Sequence, residues 1–109
     1  MDSQLMEHLR AKLLGRREVS LARKERLSAQ RAGLMERPAA GTDDAAVRTE
    51  AARLEGLARL EAQALARIDA SLDRMARGTY GLCARCHGAI EDERLRAMPD
   101  VSFCAGCTR

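Results

Sequence analysis

The most regular feature of the chain is a repeat of apolar positions in its middle third. Val47, Ala51, Leu54, Ala58, Glu61, Leu65, Ile68, Leu72 and Met75 follow one another at alternating steps of four and three, with Glu61 the one charged member. Steps of this kind keep a single stripe of a helix turned toward a neighbouring helix, so the segment reads as one half of a coiled-coil seam. Upstream, Ser3 to about Met35 is rich in Leu, Ala, Arg, Glu and Gln, the strong helix formers, interrupted by Gly15 and Gly33. Between the two lies "RPAAGT", Arg37 to Thr42. Pro38 disfavours helical geometry at Arg37 and cannot itself donate to a helix. The pattern predicts helices over about 3–36 and about 45–77, joined at a tip of 37–44. At ~1.5 Å per residue each helix is about 50 Å long, and a short break between two such helices predicts an antiparallel hairpin. One continuous helix would carry Pro38 in its interior at a cost of ~3 kcal/mol.

A fold-back at the break sets Leu34 against Val47, Leu27 against Leu54, Leu13 against Ile68 and Leu9 against Leu72. The middle is poorer, with Arg23 near Ala58, Ser20 near Glu61 and Arg16 near Leu65. Arginine stems can cover apolar surface there while their heads reach Glu61. The hairpin is therefore expected to be tightest toward its two ends.

The last segment, 78–109, has no long period and holds all four cysteines, Cys83, Cys86, Cys104 and Cys107, spaced C-x2-C-x17-C-x2-C. Two such knuckles can close a thiolate tetrahedron around one Zn²⁺, and a site with four protein ligands has no open position for water, so the metal is expected to be structural. "CARCH", Cys83 to His87, also spells a c-type haem attachment sequence, but that reading leaves the second cysteine pair unexplained. His87 is expected to adopt positive φ after the second cysteine of its knuckle, with substitution as a metal ligand the alternative.

Composition narrows the picture further. A chain of 109 residues with only Tyr80 and Phe103 as aromatics builds a small core, so the metal is expected to supply stability that the core does not. Nineteen basic residues against sixteen acidic ones leave a formal charge of +3, too even for a DNA-binding field. The charged start of the chain has no apolar run of signal-peptide or membrane-span length, so a cytoplasmic location and reduced cysteines are expected. His8 has no evident catalytic partner, and the chain is not expected to be an enzyme. The fold class is mainly α: an antiparallel two-helix coiled-coil hairpin, 1–77, followed by a small four-cysteine zinc finger, 78–109.

The run "GTYGLCARCHGAIEDERLRAMPDVSFCAGC" resembles the C-terminal zinc finger of the DksA/TraR family of bacterial RNA polymerase regulators. The pattern G-x-Y-G-x-C-x-x-C-G-x-x-I-x-x-x-R-L-x-A-x-P, followed by C-x-x-C, is matched at Gly78, Tyr80, Gly81, Cys83, Cys86, Ile90, Arg94, Leu95, Ala97, Pro99, Cys104 and Cys107. The resemblance implies one structural zinc, a cytoplasmic monomer, RNA polymerase as partner, and a hairpin that enters the secondary channel with an acidic tip near the active centre. It implies neither sequence-specific DNA binding nor membrane association.

This chain departs from the family at informative places. The tip motif D-x-x-D-x-A falls with its second acid and alanine on Asp43 and Ala45, leaving Ala40 at the first acid; a shift by one chooses Asp44 and Ala46 over Gly41. An Asp here also suits the N-terminus of the second helix as a cap or dipole partner. His87 stands where the family has Gly. Met98 stands where members responsive to the alarmone ppGpp have arginine, so Arg67 and Arg94 are the remaining candidate alarmone contacts, and ppGpp dependence is expected to be weak or absent. Two other functions fit parts of the chain: a nucleic-acid-binding zinc ribbon, and a coiled-coil adaptor that pairs through Leu57, Leu60 and Ala64.

Overall fold

A computed structural model describes residues 1–36 and 44–108. Helix α1 spans Ser3–Glu36, α2 spans Asp44–Arg77 and the short α3 spans Asp92–Ala97; a single 3-10 turn follows at Ala105–Cys107. The only β pairing among the described residues is one antiparallel bridge, Leu82 with Ala89. The expected mainly-α fold, two long antiparallel helices followed by a four-cysteine finger, is the fold observed. No described helix is long and apolar enough to cross a membrane.

Local chemistry sets the helix ends. The Asp2 carboxylate accepts from the Gln4 N–H at 3.2 Å, capping α1. At the other end of the hairpin's second helix, Gly78 has φ 76°. Its N–H donates to the Met75 carbonyl and that of Thr79 to the Arg74 carbonyl, at 3.3 and 2.9 Å. This pair of bonds is the Schellman closure, which a glycine in the left-handed region permits. Arg74 and Arg77 sit in that last turn, where cations offset the helix dipole.

The chain divides into two compact units. In the first, Met1–Arg17 with Ala66–Arg109, the core joins Leu5, Leu9 and Leu13 of α1, Ile68 of α2, and Tyr80, Cys83, Ile90 and Leu95 of the finger. Leu9, Leu13 and Leu95 are fully buried. The finger is thus built onto the first turns of α1, and its apolar core is completed by them. Arg17 pairs with Asp69 at 2.8 Å. Ser71, beside the α2 seam, is also fully buried, its hydroxyl donating to the Arg67 carbonyl of its own helix at 3.0 Å.

The second unit, Glu18–Leu65, is held by Ala51, Leu54 and Leu65 of α2, with Ser20 buried on α1. Arg23 pairs with Glu61 at 3.7 Å and Arg31 with Glu55 at 2.7 Å. Leu27, Leu34 and Val47 are only half buried. The expectation of tight packing toward the tip is therefore met only in part, because Lys24 and Arg31 occupy half-buried positions on α1 where an apolar seam would place leucine.

Candidate metal centre

The first two cysteines lie on a turn that the backbone closes on itself. The Cys83 N–H donates to the Gly88 carbonyl at 2.8 Å, the His87 N–H to the Cys83 carbonyl at 3.0 Å, and the Ile90 N–H to the Gly81 carbonyl at 2.7 Å. Two residues reverse the chain with positive φ: Gly81 at 85° and His87 at 62°. His87 is exposed, and its left-handed backbone is the conformation expected after the second cysteine of a knuckle. Cys104 and Cys107 flank the 3-10 turn, where the Cys107 N–H donates to the Cys104 carbonyl at 3.0 Å. The Ala84 N–H reaches across to the Ser102 carbonyl at 2.8 Å, joining the two knuckles.

These turns bring all four sulfurs within 4.8 Å of one another. Cys86 and Cys104 Sγ are 3.7 Å apart. A zinc tetrahedron with Zn–S bonds of about 2.3 Å has sulfur–sulfur edges of about 3.8 Å, so the cluster has the size the ion requires. The electrostatics also call for a cation. Backbone N–H groups, of Cys86 first and of Cys104 and Arg85 besides, hold the Cys83 thiol down at about 6. Cys107 is pushed up to about 12, chiefly by its hydrogen bond to Cys104 and then by burial. Sulfurs this close cannot all ionise together unless a positive charge lies among them, and a soft four-thiolate set suits zinc. Cys83, Cys86, Cys104 and Cys107 would hold the ion, whose bonds would clamp both knuckles onto the core around Leu95.

The remaining candidate residues have these positions. Asp43 and the side chain of Asp44 lie outside the described residues, and Ala45 is exposed in the first turn of α2. Arg67 Nε pairs with Asp100 at 3.2 Å, and Arg94 Nε donates to the Phe103 carbonyl at 3.0 Å. Met98 is exposed. Three contacts were not anticipated from sequence: Lys12 Nζ on the Arg96 carbonyl at 2.8 Å, Arg74 on Ser71 Oγ at 2.9 Å, and Tyr80 on the Pro99 carbonyl at 2.9 Å. The first and third join residues far apart in the chain, whose separate patterns carry no sign of the pairing.

Residues 78–109 match the family model of the prokaryotic dksA/traR C4-type zinc finger. The whole chain is similar to the solved structure of transcription factor DksA2 from Pseudomonas aeruginosa, at TM-score 0.88 and 32% identity, covering 95% of this chain and 80% of that one. The chain belongs to the DksA/TraR family. An uncharacterized protein of Aquifex aeolicus is 32% identical over 98% of this chain and 76% of its own length. The family likeness therefore covers the helical hairpin as well as the finger, and the four clustered cysteines are those of the family's C4 site.

Proposed function

We propose that the protein is a bacterial transcription regulator that binds RNA polymerase directly, places its hairpin in the secondary channel and presents the acids Asp43 and Asp44 near the active centre to modulate initiation. The observation that carries this reading is the likeness to transcription factor DksA2 along nearly the full chain, hairpin and finger together. On this reading the finger is a structural base holding one zinc, α1 and α2 are the arm, and the effect is exerted at the tip. The tip acids act on the polymerase's own chemistry; the chain contributes no catalytic group. Arg67 and Arg94 already engage Asp100 and the Phe103 carbonyl, and Met98 offers neither charge nor forked donors, which supports a response to ppGpp that is weak or absent. The proposal is tested by equilibrium binding of the purified protein to core RNA polymerase, with competition by a secondary-channel factor of known position. Saturable, competable binding is expected; no binding, or binding that the competitor leaves untouched, would contradict it.

A further inference from the structure

Within the unit Glu18–Leu65 the two helices leave a groove of about 310 Å³ between them. Ala58 and Ala62, one turn apart on α2, are too short to fill the space beside Leu27 and Leu54. The apolar part of the lining is therefore open to a ligand. Its polar part is cationic: Lys24 and Arg31 stand seven residues apart on α1 with Ser28 between them, and Arg59 joins them from α2. Glu55 is the single acid of the lining, and Arg31 Nη2 already engages it at 2.7 Å. Lys24 and Arg59 are in no ion pair among the described residues. The Arg31 Nε is buried and has no hydrogen-bond acceptor, a costly state for a cationic donor. Three cations against one acid leave a charge that the groove's own residues do not balance.

An apolar lining with a few cations and an unanswered donor is the make-up of a small-ligand site, and this volume lies at the lower end of the range for such sites. We infer that the groove binds a small phosphate ester, its phosphate held by Lys24, Arg31 and Arg59 and its organic part against Leu27, Ala58 and Ala62. The ligand supplies the acceptor that the Arg31 Nε lacks, and Ser28 offers a hydroxyl beside it. A carboxylate is satisfied by one guanidinium fork, whereas cations from two helices can share the several oxygens of a phosphate. The site is separate from Arg67 and Arg94, which belong to the other compact unit, and it does not depend on the proposed function.

The test is calorimetric titration of the full, zinc-loaded chain, with no polymerase present, using ADP, succinate and a short single-stranded oligonucleotide as probes. One saturable site per chain is expected for ADP, weakened by added salt, with succinate binding at least about tenfold more weakly. Lys24→Gln and Arg59→Gln are each expected to lower ADP affinity by about tenfold, the scale of a lost charge-assisted contact. Arg26→Gln makes the same change of charge outside this groove and should leave affinity within about twofold. Ala62→Leu, which fills the groove, should abolish ADP binding while the helices persist by far-UV circular dichroism; if that variant does not fold, Arg59→Gln at an exposed position decides. No binding of ADP, equal binding by all variants, or an equal loss with Arg26→Gln would overturn the inference. So would succinate bound as tightly as ADP, or binding of the oligonucleotide alone.

Discussion

The Tyr80 hydroxyl donates to the carbonyl of the fully buried Pro99 at 2.9 Å, tying the chain just beyond α2 to the turn that follows α3. Arg74 reaches the neighbouring Val101 carbonyl at 3.5 Å and Arg67 the Asp100 carboxylate at 3.2 Å, so three successive residues after α3 are held, two by α2 and one by Tyr80 just beyond it. Burial raises the Tyr80 hydroxyl to about 12; Arg74 opposes the shift and Asp100 adds to it.

Tyr80 is the only tyrosine and there is no tryptophan, so phenolate absorbance reports this contact alone. The folded protein is expected to titrate near 12, and the unfolded chain near the ordinary value of about 10. Because the folded value is the higher one, the associated stability is fully present below about pH 10 and is lost as pH rises through about 12. A midpoint near 10 in the folded, zinc-loaded protein would mean that the hydroxyl is not held by Pro99.

Purified protein should contain about one zinc per chain, with Cys83, Cys86, Cys104 and Cys107 as ligands. Cys107→Ser, or chelation, is expected to unfold the finger, since small metal sites of this type draw on the order of 10 kcal/mol of folding energy from the ion. The loosening should extend into Met1–Arg17, whose leucines share the finger's core, while amides of Glu18–Leu65 keep their protection. Hydrogen exchange reads this directly. Unchanged protection of Leu5–Leu13 after zinc removal would show that α1 supports itself without the finger.

Any transcriptional effect should depend little on ppGpp. Two substitutions ought to raise that dependence: Met98→Arg, which adds a guanidinium, and Asp100→Asn, which frees Arg67 from its 3.2 Å partner. A charge-assisted hydrogen bond is worth roughly 1.5–3 kcal/mol, about tenfold or more in affinity. Transcription in vitro with a polymerase lacking its own alarmone site measures the synergy. Strong synergy with the unaltered chain, indifferent to both substitutions, would place the alarmone elsewhere.

How far the molecule was legible in its sequence differs between the two helices. All nine seam positions of α2, from Val47 to Met75, are buried or half buried, as their spacing requires. On α1 the apolar stripe of Leu5, Leu9 and Leu13 does not continue: beyond it the face buries Ser20 and half-buries Lys24 and Arg31, whose stems pack while their ends stay polar. Ser71 was hidden for a related reason: its hydroxyl is satisfied within its own helix, which makes a polar residue acceptable at full burial. Cysteine spacing disclosed the four-sulfur cluster, and the place of His87 after Cys86 disclosed its positive φ. What no local pattern could disclose is that Lys12 would meet the Arg96 carbonyl and Leu9 and Leu13 would share a core with Leu95, because those contacts join the two ends of the chain.

On the proposed function, the tip acts on transcription while the rest of the chain docks. Replacing Asp43 and Asp44 together by asparagine keeps the capacity to cap α2, because Asn caps about as well as Asp, and removes the charge. Measured side by side, affinity for RNA polymerase and the effect on initiation in vitro should separate: binding within about twofold of the parent, regulation reduced by about tenfold or more, the scale on which loss of a charge-assisted contact acts. A double variant that regulates as the parent does, with binding also unchanged, would contradict the account and reduce the two acids to helix caps.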